Sequence, residues 1–387
     1  MGGHLWDQMA NQEASVRQDD YLRVSILGDT TTDTNSSSSK TIRHHISDLK
    51  MMLVELYRGK PFSFWILLLL SGGAMLIAFP ASSLLSRLYY SNGGKSKWIL
   101  SWVAVAGWPL TALALLPTYI FCNTYPTRLN LKLTISYAVV GFLSAADNLL
   151  YAYAYAYLPA STASLLASSS LIFSALFGYL LVGNRINASI INSVVMITAA
   201  LTIIALDSDS DLYGNVSKTQ YTMGFVYDIL GSALHGLIFA LSELLFVKLL
   251  GRTSFHVVLE QHVMVSLFAF TFTTVGLVVG RSFQGMEEEA RNFKGGITSY
   301  SMVLVWSAIT FQLGVLGATG VLFLASTMLA GVLNAVRVPL TSIAAVILLR
   351  DPMSGFKILS LVITFWGFCS YIYGSRPSKN DHSTTSF

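Results

Sequence analysis

Asp147, Tyr151 and Tyr155 stand four residues apart in an apolar run, so on a helix an acid and two phenols share one stripe, with the amide of Asn148 beside the acid. A second stripe carries Asp228, Ser232, His235, Phe239 and Ser242, with Glu243 beside its end. A third carries Ala330, Asn334, Arg337 and Thr341, and Gln312 is an amide in a fourth apolar run. Carboxyl and imidazole groups in such settings can take up and release a proton, or be held in an ion pair with a guanidinium. Tyrosine and phenylalanine rings can stack on a planar ligand while amides and hydroxyls read its edge. A polar group turned to hydrocarbon loses its hydrogen bonds at a cost of several kcal/mol, so these stripes must line the interior of a bundle.

Two sets of candidates follow. Asp147, Asn148, Tyr151, Tyr155, His235, Phe239, Gln312 and Asn334 are the candidate substrate contacts. Asp147, Glu243 and Arg337 are the candidate proton-coupling or ion-pair set, Arg337 pairing with either acid. Asp147 then has two readings, a proton or substrate group or an interhelical tie. Tyr153 and Tyr157 face away from the stripe, and Glu260 and His262, at the head of their run, are expected to meet water. Cys122 and Cys369 form no metal-ligand spacing, and no cofactor motif is present.

The elements that position these residues are membrane helices. Hydrophobic residues make up 53% of the chain and charged residues 11%, with mean hydropathy +0.59, far from the charge content of soluble domains. Apolar runs lie near residues 63–88, 98–121, 133–158, 161–182, 186–206, 223–250, 257–279, 300–324, 328–349 and 356–373. Each has roughly the 17 to 25 residues needed to cross the hydrocarbon core. The expected fold is an all-α integral membrane protein of ten transmembrane helices.

The runs echo one another. At an offset of 165, Ser161-Thr162 falls on Ser326-Thr327 and Asp147 on Gln312; at an offset of 160, the segment from Phe79 falls on that from Phe239. Odd-numbered halves cross the membrane in opposite senses, so the expectation is two inverted five-helix repeats, 61–206 and 222–374, joined by a loop at 207–221, with a site between them. Such symmetry suits alternating access and argues against a receptor that binds without moving its ligand. Residues 1–42 form a polar tail expected to be disordered, 43–60 a segment with helical apolar spacing able to lie on a membrane surface, and 375–387 a C-terminal tail. Basic residues flanking the spans place both termini in the cytosol. The net charge of +4 is spent on these flanks and implies no nucleic-acid partner.

Only Arg337 is basic at membrane depth, which disfavours an anionic cargo and suits a neutral or weakly basic heteroaromatic ring. Catalytic motifs are lacking: there is no HExxH and no phosphate-cradling glycine loop, so the chain does not read as an enzyme.

The segments SAADNLLYAYAYAYLPAST (144–162), SALFGYL (174–180), SFHVVLEQ (254–261) and DPMSGFKILSLVITFWGFCSYIYG (351–374) resemble plant purine permeases, a branch of the drug/metabolite transporter superfamily. The resemblance covers nearly everything after Tyr57. It implies proton-coupled import of adenine, cytokinins and related purine derivatives, with alkaloids or vitamin B6 forms as cargo in some relatives. It also implies an acid closing the fourth and ninth helices, a position matched by Asp351 in the second half and replaced by Asn184-Arg185 in the first. The partners so implied are a small purine or cytokinin, a proton and the bilayer, for a chain functional as a monomer. Plasma membrane is the expected location, ahead of endomembrane or tonoplast.

Overall fold

The computed structural model describes residues 62–121, 125–184, 186–207, 216–250, 255–324 and 327–374. The polar tail, the 43–60 segment, most of the 207–221 loop and the C-terminal tail lie outside the described residues, as do Ser326 and Arg185. Among those described, every regular element is helical. In chain order they are α1 Phe62–Ser91, α2 Lys97–Ala106, α3 Trp108–Phe121, α4 Leu131–Tyr157, α5 Ala160–Leu166, α6 Ser170–Phe177, α7 Ala188–Leu206, α8 Lys218–Leu245, α9 Phe255–Val279, α10 Ser282–Asn292, α11 Gly296–Leu324, α12 Thr327–Leu349 and α13 Gly355–Gly374. A tighter turn at Ala167–Ser169 links α5 to α6, and widened turns at Gly178–Val182 and Phe246–Leu250 extend α6 and α8.

Nine stretches among the described residues are long and apolar enough to cross a bilayer, with α2 and α3 counted as one and α5, α6 and their turns as another. A shorter apolar stretch, Val336–Leu349, lies in α12. Helix starts are set by local chemistry. The Asn130 side chain accepts from the Leu133 amide at 2.8 Å to begin α4, and Asn187 accepts from Ile190 at 3.0 Å to begin α7. Ser217 and Gln220 form a reciprocal capping box at the head of α8. Each such cap contributes about 1 kcal/mol relative to alanine.

One departure from the sequence pattern lies at 98–121, a continuous apolar run that breaks at Gly107, with Pro109 in the first turn of α3. A Cβ at residue 107 would stand 2.5 Å from Gln312 Cγ and 2.6 Å from the Ala308 carbonyl oxygen, so the break is also where this segment presses onto α11. The second departure is α10, a polar helix within what read as a loop. It follows Arg281, which adopts φ 53°, and lays Ala290 and Met286 against a cluster of Tyr89, Phe293 and Tyr300. The Tyr89 hydroxyl donates to Glu289 of that helix.

The packing follows a pattern. α1 lies along α11 and α12, α4 along α8 and α9, and α7 along α13. The segment from α5 through α6 packs on α8 and α12, while α2 and α3 pack on α9 and α11. At Gly317 α11 presses on the backbone of α1: a Cβ there would meet the Met75 nitrogen and the Ser71 oxygen at 2.6 Å.

Candidate functional site

The pairing of α4 with α8 joins the first two polar stripes. Asp147 Oδ2 lies 3.0 Å from His235 Nδ1. One turn on, the Tyr151 hydroxyl lies 3.1 Å from Ser232 Oγ, which in turn reaches the Leu166 carbonyl at 3.4 Å. The Tyr151 ring stands edge-on to the His235 imidazole at 6.3 Å, and the imidazole stands edge-on to Phe239 at 4.7 Å. Room for Tyr151 comes from Gly231, where a Cβ would already be in contact with the tyrosine ring at 3.4 Å. The result is a strip of aromatic edges around an acid and an imidazole.

Buried acceptors in this strip are left over. Among the described residues, Asp147 Oδ1 and both carboxylate oxygens of Asp228 have no hydrogen-bond partner, although Asp228 is wholly buried. Native interiors seldom leave such atoms unmatched, so each calls for an explanation.

Tyr155 continues the α4 stripe towards α1, sharing a hydrogen bond with Ser83. Its backbone oxygen accepts from Arg87 Nη1 at 3.2 Å. Arg337 comes from α12 to the same region, but its guanidinium lies 4.7 Å above the Phe79 ring, within electrostatic reach of Tyr155 and Tyr151. No ion pair of Arg337 with Asp147 or Glu243 occurs among the described residues. The physical reason is that a delocalised, weakly hydrated guanidinium is well served by an aromatic face, while Asp147 is held by His235 through Oδ2. Glu243 is exposed near the end of α8, where it accepts from Asn184 Nδ2 at 3.3 Å. Asn148 donates locally to the Ser144 carbonyl at 2.8 Å, Phe239 keeps much of its surface open, and Asn334 is half-buried on α12.

Gln312 has no hydrogen bond to Asp147 among the described residues. It organises a second polar cluster, in which its Oε1 accepts from Thr111 Oγ1 at 2.8 Å and lies 3.3 Å from His262 Nε2. Ser266 Oγ stands 3.4 Å from the same nitrogen. His262 is thus an interior residue and not a water-facing one, because α9 begins at Phe255 and carries it two turns into the bundle. Its one-turn spacing from Ser266 was a usable signal in the sequence; the contribution of Thr111 was not, since it depends on the break at Gly107.

Two further clusters tie the ends of the bundle. Lys357, almost fully buried, donates to Ser161 Oγ at 3.1 Å and to the Pro352 carbonyl at 2.8 Å, and Asp351 Oδ2 accepts from the Ser161 amide at 3.0 Å. The Asp351 carboxylate therefore holds the first turn of α5, where unpaired amides favour a negative charge. Elsewhere Glu260 is also buried, accepting from the Tyr119 hydroxyl at 2.5 Å and from the Thr127 amide at 3.2 Å. Burial, then the bond to Glu260, pushes the Tyr119 phenol above the ordinary tyrosine range.

Comparison with known proteins agrees with the membrane architecture. A family model described as purine nucleobase transmembrane transport matches residues 66–381. Probable purine permease 5 of Arabidopsis thaliana is 73% identical over 341 residues, covering 88% of this chain and 94% of that protein. Purine permease 21 of the same plant is 36% identical, covering 76% of each chain, and purine permease 3 is 34% identical, covering 77% of this chain and 87% of its own. A multi-pass membrane protein with these relatives is a transporter and not an enzyme, and the chain belongs to the plant purine permease family.

Proposed function

We propose that the protein imports purine bases and purine derivatives such as adenine and cytokinins across the plasma membrane, driven by protons. The observation that carries this reading is the α4–α8 strip. It offers aromatic rings from Tyr151 and Phe239, the Asp147–His235 pair, and the unmatched acceptor Asp147 Oδ1. A planar base with N–H donors on its edge supplies what that strip lacks: a π-face for the rings and donors for the carboxylate. Asn148, Tyr155, Asn334 and Gln312 complete the proposed contact set as the helices rearrange around the cargo, with Arg337 as the nearby cation and Glu243 at the α8 end of the coupling set.

In this reading α12 also crosses the membrane, as the ninth of ten spans, and 61–206 and 222–374 are inverted repeats with both termini in the cytosol. The packing supports it. Numbering the spans from one to ten, the main contacts between the halves join 1 with 8 and 9, 2 with 7 and 8, 3 with 6 and 7, 4 with 6 and 9, and 5 with 10. Exchanging the halves maps this set of pairs onto itself, as a two-fold axis between repeats requires.

The test is uptake of labelled adenine and of a labelled cytokinin in a host lacking its own purine carriers, before and after collapse of the proton gradient. Uptake of either, abolished by the collapse, is the expected result. No uptake of either refutes the substrate reading, and uptake indifferent to the gradient refutes the coupling.

A further inference from the structure

We propose that Asp228 is the carboxyl that carries the co-transported proton, a role distinct from the substrate strip formed by Asp147, Tyr151 and His235. The inference rests on the proton-coupled reading above and assigns it to an atom.

Asp228 sits in α8 one turn before Ser232, the residue that engages Tyr151, and wholly inside the protein. Neither of its oxygens has a hydrogen-bond partner among the described residues. Among the described residues, the charged and phenolic groups nearest to it are engaged elsewhere. From α4, the Tyr151 hydroxyl is bonded to Ser232 and the Tyr155 hydroxyl to Ser83. From α12, the Arg337 guanidinium lies over Phe79; from α1, Arg87 donates to the Tyr155 backbone. On its own helix, His235 faces Asp147. The remaining titratable neighbour is Asp147 itself, another acid, within electrostatic reach of Asp228.

An ionised carboxylate in such a place carries a desolvation cost of several kcal/mol with nothing to offset it. A second carboxyl nearby makes simultaneous ionisation costlier still. The arrangement is therefore the loaded state, with Asp228 as a neutral carboxylic acid. Unloading requires a change of surroundings, in which water or the Arg337 cation reaches the carboxyl as α8 and α12 shift. At that point the O–H bond of Asp228 breaks, its electron pair stays on the carboxylate oxygen, and the proton leaves on water as hydronium. Reloading from the opposite side reverses the step, moving one proton per cycle.

The decisive experiment separates exchange from accumulation. In reconstituted vesicles with the membrane potential clamped, one proton per adenine lets an inward gradient of one pH unit support about tenfold accumulation. Counterflow of labelled against unlabelled adenine at equal pH needs no net proton movement. Asp228→Asn is expected to abolish the accumulation while counterflow continues, and Asp228→Glu, which keeps a titratable carboxyl, is expected to retain both. An Asn variant that still accumulates adenine overturns the proposal. So does one that reaches the membrane and loses counterflow together with accumulation, since that marks Asp228 as a substrate or structural group. Unmodified protein whose uptake ignores the gradient overturns the parent reading instead, before any variant is made. Should the Asn variant fail to fold, dicyclohexylcarbodiimide, which reacts with protonated carboxyls in apolar surroundings, is applied to the unmodified protein. Modification of Asp228 detected by peptide mass supports the loaded state; an unmodified Asp228 overturns it.

Discussion

Replacing His235 by leucine is expected to destabilise the protein more than replacing its partner Asp147, and replacing both is expected to be little worse than replacing Asp147 alone. The asymmetry comes from burial: the Asp147 side chain is 7% exposed and that of His235 40%. Loss of the imidazole strands a buried carboxyl whose other oxygen is already unmatched, which costs about 3 kcal/mol. Loss of the carboxyl strands an imidazole open enough to be served otherwise, at about 1 kcal/mol. The double variant strands neither group, so it too loses about 1 kcal/mol, and the interaction energy of the cycle is about 3 kcal/mol, roughly a hundredfold in the folded population. Detergent-induced unfolding of the four reconstituted proteins, followed by tryptophan fluorescence, measures it. If the two single effects add in the double variant to within about 0.5 kcal/mol, the contact between α4 and α8 contributes nothing and the reasoning fails.

Lys357→Met removes a buried ammonium that holds Ser161 and Pro352 beside Asp351; it is expected to lower stability by about 3 kcal/mol, with no rescue in Lys357→Arg, whose planar fork does not fit an ammonium site. Gly317→Ala forces a methyl against the backbone of α1 and is expected to cost about 1–3 kcal/mol, read as a fall in the unfolding midpoint; an unchanged midpoint contradicts the close approach. Tyr119 holds its proton more tightly folded than unfolded, so its contribution is full below the ordinary tyrosine value of about 10 and is lost as pH rises through the folded value. Absorbance titration of the protein against Tyr119→Phe shows that phenol, and Glu260→Gln is expected to lower its midpoint only in part, because burial is the larger cause.

What the sequence made legible was whatever depends on one helix at a time. The i, i+4 stripe of Asp147, Tyr151 and Tyr155 exists on α4, and Tyr153 and Tyr157 do turn elsewhere, to Lys97 near 5.8 and 5.9 Å. Partners were not legible, because they depend on the register between helices. Charge counting pointed Arg337 at an acid, but the guanidinium found Phe79, a solution that opposite-charge bookkeeping does not contain. The repeat offset set Gln312 against Asp147, although equivalent positions in two repeats occupy separate places, and Gln312 meets Thr111 and His262. Lys357 looked like one more basic residue flanking a span, since nothing local reveals that the turn after α12 folds it inward. Asp228 was visible in its stripe but gave no sign that it would lack a partner.

The cross-half packing has a consequence for how the protein is made. α4 finds the partner of Asp147 88 residues later, and Met75 of α1 meets its close neighbour only when Gly317 has been synthesised. At about 5–20 residues per second, the polar stripe of α4 waits on the order of ten seconds for α8, and α1 waits longer for α11. During that interval the nascent chain is a row of helices whose binding faces have nothing to bind, exposed to lipid or held by the insertion machinery. A chain stopped after α7 is therefore no smaller carrier but an assembly intermediate, and synthesis through α13, which seats α7, completes the packing of the first half.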